Sequence, residues 1–335
     1  MIRPRHQMFF SFLVVVTLLL GSVIGFLSVV SAAGPKDYPD KAVTFIAQSK
    51  PGSGLDLTIR SINNTLIKEG LAPENVAIPV INMTGSSQAI LNIVTRHKND
   101  PYMISVSSVG STMNYVTGVL PYSHKDITPI AKLISAYYGV FVKYDSPYKT
   151  LGELIRDLKS DPGGTPLSGG KFDDRFFYGA LFSKAGIDIT KINYAAFDGG
   201  TLASTVVLEG TAKAMVTTVD DIMPLIESKM LRPLAVSSPE RIGGLFKDYP
   251  TVKEAGVDLV WENFRYVIGP PGFPDYAKKY WTEVLRKMVK TPTWQDLVKK
   301  YRWGDAFMAE GFDEFLDEKL VVIKKVATEL GMTKK

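Results

Sequence analysis

The sequence predicts a two-domain α/β protein, each domain a mainly parallel sheet flanked by helices. Strand-like and helix-like segments alternate over residues 43–237. Three strands in series each run into a turn of glycine, serine and threonine before a helix begins. From Tyr137 onward the scheme repeats, and 335 residues are enough for two domains of ordinary size.

Residues 1–33 stand apart from the fold. Arg3 and Arg5 form a positive n-region, residues 8–30 an apolar run, and Ser31-Ala32-Ala33 a small-residue cleavage site, the pattern of a signal peptide. The apolar run is long and approaches a membrane span, so an uncleaved anchor is the alternative. Either reading puts the remainder outside the cytoplasmic membrane.

Residues 43–47 read as the first buried strand. A turn with Pro51, Gly52, Ser53 and Gly54 follows, then a helical pattern opened by Asp56, carried by Ile59, Ile62 and Leu66 and stopped by Gly70. The glycines leave peptide N–H groups uncovered. The first helical N–H groups have no intrahelical partner, and the helix dipole is positive there, which makes a small anion cradle. The same residues also read as an ordinary βα turn with Asp56 as N-cap. The turn is not G-x-G-x-x-G, since Leu57 takes the third glycine position, and no Lys-Ser/Thr of a P-loop follows. Pro51 stands where a nucleophile elbow around Ser53 would need glycine.

Residues 76–81 form the second strand, closed by Asn82-Met83-Thr84-Gly85-Ser86-Ser87, and residues 103–107 the third, closed by Ser107, Ser108, Val109 and Gly110. In an open parallel sheet such turns sit at the carboxyl ends of the strands, where ligands bind. Glycine and serine are also common in βα turns for local reasons alone. Residues 137–144 are the next strand, and Thr150-Leu151-Gly152-Glu153 fits a capping box before a helix over 154–158. A strand over 166–170 ends in Gly169 and Gly170, before an aromatic-rich helix over 173–184. A strand over 191–195 leads to Phe197, Asp198, Gly199 and Gly200 and a helix over 202–209. Further strands cover 212–217, 232–237 and 264–269, and helices cover 275–289, 293–301 and 312–330. Trp261, Trp281, Trp294 and Trp303 read as packing residues.

Formal charge is +5, and about +3 once Arg3 and Arg5 are set aside, too mild and dispersed for a nucleic-acid partner. The absence of cysteine excludes a disulfide framework, a thiolate metal site, a cysteine nucleophile and an acylated lipoprotein N-terminus. His6 lies in the leader, and His97 and His124 lie in contexts read as structural, which leaves little for a metal centre. No metal and no cofactor is expected. A periplasmic hydrolase needs a nucleophile, a base and an oxyanion hole, and two mature histidines in unremarkable settings do not supply the set.

The order of motifs resembles the periplasmic substrate-binding proteins of tripartite tricarboxylate transporters, the Bug receptors. The resemblance rests on Tyr38-Pro39-Asp40-Lys41-Ala42-Val43, on Pro51-Gly52-Ser53-Gly54-Leu55-Asp56 with Arg60, and on Asp100-Pro101-Tyr102-Met103. It continues through Leu120-Pro121-Tyr122, Asp126 to Ile130, Phe197 to Gly200, Arg232 to Val236, Arg241, Pro250 to Gly256, and Gly269-Pro270-Pro271-Gly272-Phe273-Pro274. It covers nearly all of residues 38–335. The chain departs from the family pattern at Thr84 to Ser87, at Glu209 to Lys213 and in the charged loop Lys171 to Arg175.

The resemblance implies a two-lobed periplasmic-binding-protein fold of the Venus-flytrap kind. Domain 1 would take residues 36–136 plus 261–335 and domain 2 residues 137–260. It implies a monomeric, non-enzymatic protein that closes on a small carboxylate and delivers it to a membrane permease; a ligand sensor for a signalling partner is the alternative. The ligand-binding residues expected are Ser53, Gly54, Asp56, Gly85, Ser86, Ser87, Ser107, Ser108, Gly169, Gly170, Phe197, Asp198, Gly199 and Gly200. The turns offer neutral donors, with Lys50, Arg60 and Lys171 the nearest cations. That favours a monocarboxylate, a dicarboxylate or a small aromatic acid over a tricarboxylate. Phe172, Phe176, Phe177, Tyr178, Tyr137 and Tyr138 either face an aromatic ligand or pack.

Overall fold

The computed structural model describes Pro35 and residues 37–333, apart from Lys171 and Asp198. The leader reading lies outside the described residues. The described residues from Asp37 onward cluster as one compact unit.

Strands β1 (Thr44–Ala47), β2 (Val80–Asn82) and β3 (Met103–Ser108) pair in parallel, with β1 in the middle. Strands β5 (Leu167–Gly170), β6 (Tyr194–Phe197) and β7 (Ala214–Thr218) form a second parallel set around β5. Two antiparallel strands join the sets, β4 (Thr128–Lys143) and β9 (Glu262–Gly269), so the sheet as a whole is mixed. Its order is β2-β1-β3-β9-β4-β7-β5-β6. Both β8 (Leu231–Val236) and β10 (Gly304–Met308) add antiparallel to β4.

Strand β4 begins nine residues earlier than residue 137, because residues 129–136 are buried and the stretch from Thr128 pairs with β9. Its partners change within one step: Tyr137 registers with Glu262 of β9, and Tyr138 with Thr218 of β7. Pro233 has no N–H to give, and the β8 ladder shifts register between Val140 and Phe141 beside it. Residues 76–79 are not strand, and only Val80–Asn82 pair with β1, the stretch before them containing Pro79. Strand β6 starts at Tyr194 rather than Lys191, which ends a short 3₁₀ turn.

Most helices match the sequence pattern; it does not predict those over Val109–Val116 and Met223–Glu227. The helices are α1 (Gly54–Lys68), α2 (Ser86–Arg96), α3 (Val109–Val116), α4 (Leu151–Ser160), α5 (Asp173–Lys184), α6 (Gly200–Leu208), α7 (Met223–Glu227), α8 (Asp275–Met288), α9 (Pro292–Tyr301) and α10 (Phe312–Glu329). The α4 capping box is complete: Glu153 N–H donates to Thr150 Oγ1 at 3.2 Å, and Thr150 N–H to Glu153 Oε2 at 3.1 Å.

One core holds Phe45, Ile59, Leu66 and Val106 against Trp281, Leu285, Trp294 and Trp303. A second holds Leu154, Leu158, Phe176 and Phe177 against Leu316 and Ile323 of α10. A third packs Ala203 and Val207 of α6 on Phe141, Met215 and Phe246. All four tryptophans are buried, as packing residues should be. His124 is buried and bonds Asp317 at 3.1 Å, and His97 ends α2.

Candidate functional site

A polar cavity of about 260 Å³ opens where the carboxyl ends of both parallel sets converge. Gln48, Ser49, Ser53, Gly54 and Leu55 come from the β1–α1 turn, Ser86 from the start of α2, and Ser108, Gly110 and Asn114 from β3 and α3. Facing them are Asp173 and Asp174 at the start of α5, Thr218 at the end of β7 and Asp221 after it, and Asn263 and Arg265 on β9. Three larger hollows gather less chemistry, the smallest of them, about 280 Å³, lying between Val94, Lys125 and Gly272. One of about 440 Å³ runs along a single face of α2, and one of about 540 Å³ lies mostly over valines of α10 and the side of α5.

Among the described lining residues the cation is Arg265, and it is already partnered. Its Nη2 stands 2.8 Å from Asp220 Oδ2, with the two side chains 3% and 2% exposed. Its Nη1 donates to Gly54 O at 3.3 Å and to Thr58 Oγ1 at 3.2 Å. Trp303 Nε1–H donates to the same Asp220 oxygen at 3.0 Å. Desolvation works to raise the Asp220 pKa, but the Arg265 charge and these donors hold it below the ordinary carboxylate value.

Three further carboxyls stand around the cavity. Gly170 N–H donates to Asp174 Oδ2 at 2.6 Å. Burial, and then the Asp221 charge, still push Asp174 well above its ordinary value. Asp173 is raised mainly by desolvation, with Arg265 opposing. Asp221 is raised to about 7 by desolvation and by the Asp220 charge; the Gly200 amide beside it acts the other way. The residue remains exposed to cleft water, so an opened cleft relaxes that shift.

The serine hydroxyls are partly engaged. Ser53 Oγ–H donates to Lys50 O at 2.8 Å, and Ser86 Oγ–H to Gln48 Oε1 at 3.4 Å. Ser108 Oγ accepts from Gly110 N–H at 3.3 Å, leaving its proton for the cavity. Asn263 is 8% exposed, and its Oδ1 has no hydrogen-bond partner.

Of the residues singled out from sequence, Ser53, Gly54, Ser86 and Ser108 line this cavity. Asp56 does not. It sits inside the first turn of α1, behind the N-cap Ser53. There it accepts from Gly52 N–H at 2.8 Å, Arg60 Nε at 2.8 Å and Asn82 Nδ2 at 2.7 Å. Burial favours its neutral form, and those three donors outweigh burial. Ser107 is buried against Ser111, Gly85 is the α2 N-cap at φ 92°, and Ser87 follows Ser86 within α2. Gly169 packs under Tyr194 and Val216, where a Cβ has no room, while the Gly170 amide is taken by Asp174. A Cβ at Gly200 would run into Thr217, and Gly199 holds φ 106° ahead of α6. Phe197 ends β6, and none of Phe197, Gly199 and Gly200 is among the lining residues. Asp198 lies outside the described residues. The aromatics pack: Phe176, Phe177 and Tyr138 are fully buried, with Tyr138 stacked on Phe177 at 5.1 Å. Phe172 and Tyr137 are half-buried, and none of these aromatics lines the cavity.

The sequence reading missed Thr218, Asp220 and Asp221, although Thr218 ends β7 and the two aspartates follow it as the serines follow β1 to β3. Arg265 and Asn263 gave no such signal. They lie within an antiparallel strand, and only pairing of β9 with β3 brings Arg265 opposite Ser108.

The sequence model of the tripartite tricarboxylate transporter family receptor, TctC, matches residues 66–331. The chain belongs to that receptor family. The receptor is 24% identical over 327 residues to the UPF0065 protein in the gbd 5'region of Cupriavidus necator, covering 93% of this chain and 87% of that one. Its fold is similar to that of a Rhodopseudomonas palustris protein with adipate, at TM-score 0.76 and 18% identity, covering 89% of the receptor and 99% of that chain. It is also similar to MatC of the same organism with bound malate, at TM-score 0.71 and 17% identity, covering 86% and 99%. Among the described residues no helix is long and apolar enough to cross a membrane.

Proposed function

We propose that the receptor captures a small organic acid in the cavity between the two parallel strand sets and delivers it to the membrane permease of a tripartite transporter. It acts as a monomeric binding protein outside the cytoplasmic membrane, without catalysing a reaction. The convergence of the β1, β2, β3 and β7 carboxyl ends on one polar cavity carries this reading. Malate and adipate in two structural relatives support the ligand class. At about 260 Å³ the cavity is smaller than the usual drug-sized site, which suits a mono- or dicarboxylate better than a tricarboxylate.

The first lobe takes residues 36–136 and 261–335 and the second residues 137–260, with closure biased by the ligand. The switch of partners at Tyr137 and Tyr138 supports a crossing point there. Ser53, Gly54, Ser86 and Ser108 contact ligand from the first lobe; Asp173, Asp174 and Asp221 face it from the second.

A thermal-shift screen of small acids tests the reading. A ligand at about 100 times its Kd stabilises by roughly 2.7 kcal/mol. Ser53→Trp fills the cavity mouth without removing a side-chain cap, because Ser53 makes no such bond to α1. The variant should lose the shift; a full shift in Ser53→Trp places the ligand elsewhere.

A further inference from the structure

We infer that the groove between α10 and α5 is a second binding site, for an amphipathic acid: an apolar chain that ends in a carboxylate. The inference stands apart from the cleft reading, because the groove shares no lining residue with the cleft.

A helix packed on a core should turn its apolar stripe inward. Phe312, Leu316, Ile323, Val326 and Ala327 of α10 do so. Val321 and Val322 do not; they are 70% and 48% exposed. Scattered exposed valines are ordinary, but these two join Leu259 along a groove of about 540 Å³, within the range of small-molecule sites. A smaller hollow of about 40 Å³, walled by Val260 and Phe264, adjoins the groove through Trp261 and Val322, which line both.

Trp261 supplies an independent observation. It is 7% exposed, and its Nε1 has no hydrogen-bond partner. A buried indole N–H normally finds an acceptor. Trp281 finds Tyr38 Oη at 2.8 Å, and Trp303 finds Asp220 Oδ2 at 3.0 Å. Trp294 lacks one too, but it is sealed in the core at 0% exposure, whereas Trp261 borders two hollows. Room for an acceptor from outside the chain exists only beside Trp261.

Charge decides which group carries that acceptor. Lys184 from α5 and Lys325 from α10 line the groove, and neither forms an ion pair among the described residues. Glu329 is the acid of the same lining, which leaves the groove one positive charge. Lys319, in the adjoining hollow, is engaged by Glu262 at 3.0 Å. A carboxylate gives the indole its acceptor and the lysines their counter-charge, while the chain attached to it covers Val321 and Val322. An alcohol meets the indole alone, and an amine is repelled by both lysines.

Calorimetry on the receptor with octanoate, 1-octanol, octylamine and acetate tests the inference, with tryptophan emission as a second readout. Octanoate should bind most tightly, since acetate lacks the chain, octanol the charge, and octylamine carries the wrong sign. Val322→Glu, at an exposed helix position that keeps the fold, should abolish octanoate binding. Lys325→Gln should weaken it about two- to five-fold, as an exposed ion pair supplies. Trp261→Phe should weaken it about ten-fold, the worth of one hydrogen bond to a charged group, and should remove the emission change that octanoate causes. Octanoate binding should persist in Ser53→Trp, whose cleft is filled. Its loss there would assign octanoate to the cleft and overturn the inference. Unchanged binding in Val322→Glu overturns it as well, as does octanol or octylamine bound as tightly as octanoate. An absence of octanoate binding does the same and leaves the valines of α10 to a protein partner.

Discussion

Arg265 of β9 and Asp220 after β7 form a buried ion pair, Nη2 to Oδ2 2.8 Å, that ties the first parallel strand set to the second. Removing one partner leaves the other charged and dry. Arg265→Met should therefore cost about 3–5 kcal/mol of stability, whereas Arg265→Met with Asp220→Leu should recover most of it. Urea denaturation of the two variants checks this, and equal losses in both would deny the pair its part in the single-variant cost.

Gly54 is glycine because of that arginine. A Cβ at residue 54 would stand 2.6 Å from Arg265 Nη2 and 3.0 Å from Cζ. The missing side chain leaves the guanidinium its place at the edge of the cavity that Gly54 also lines. Gly54→Ala should displace Arg265, lower stability by about 1–3 kcal/mol and weaken binding of any cleft ligand. Wild-type stability and affinity in this variant would show that the guanidinium yields without consequence.

Asp221 should make stability fall as pH rises. Its pKa in the folded protein, about 7, lies above that of an unfolded aspartate, so the native state holds the extra proton between those two values. The resulting penalty is absent below about pH 4, grows through the interval and is complete above about pH 7. Asp221→Asn removes it, and the variant should gain melting temperature over wild type at pH 8 but not at pH 4. The gain is modest because the carboxyl stays open to cleft water. A pH-independent difference would mean that Asp221 titrates normally.

Thr150 offers a control remote from the cleft. Its Oγ1 accepts from Glu153 N–H at 3.2 Å and caps α4. Thr150→Ala should cost about 1 kcal/mol and leave ligand affinity untouched. Thermal melts with and without ligand separate the two effects.

The parallel elements were legible because their signals are local. A strand, a glycine or serine turn and a capped helix can be read within twenty residues, and α5 was bounded correctly by Asp173 and Lys184. So was one side of the cleft, where Ser53, Ser86 and Ser108 sit. The first half of β4, the short β10 and the place of Arg265 depend on pairing between distant segments. Ile134 of β4 sits against both Arg265 of β9 and Asp305 of β10, a meeting that no local pattern contains. The loops around Gly170 and Gly200 were read as free amide donors. A carboxyl four residues on, Asp174, occupies the Gly170 amide, and Gly200 stays off the cavity wall; a turn's composition does not say what its neighbours will do with it.

Strand β4 has a consequence for how the chain folds. Its sixteen residues are shared between two sets of partners, with no loop between the half that pairs with β9 and β10 and the half that pairs with β7 and β8. A slip of one residue would turn Ile134 and Leu133 inside out on one side and Val140 and Phe141 on the other. Neither half can choose its alignment alone, so the ligand-free protein should unfold in a single cooperative calorimetric transition, and a fragment ending at Tyr137 should not fold, because it lacks the β9 strand that its last residues need.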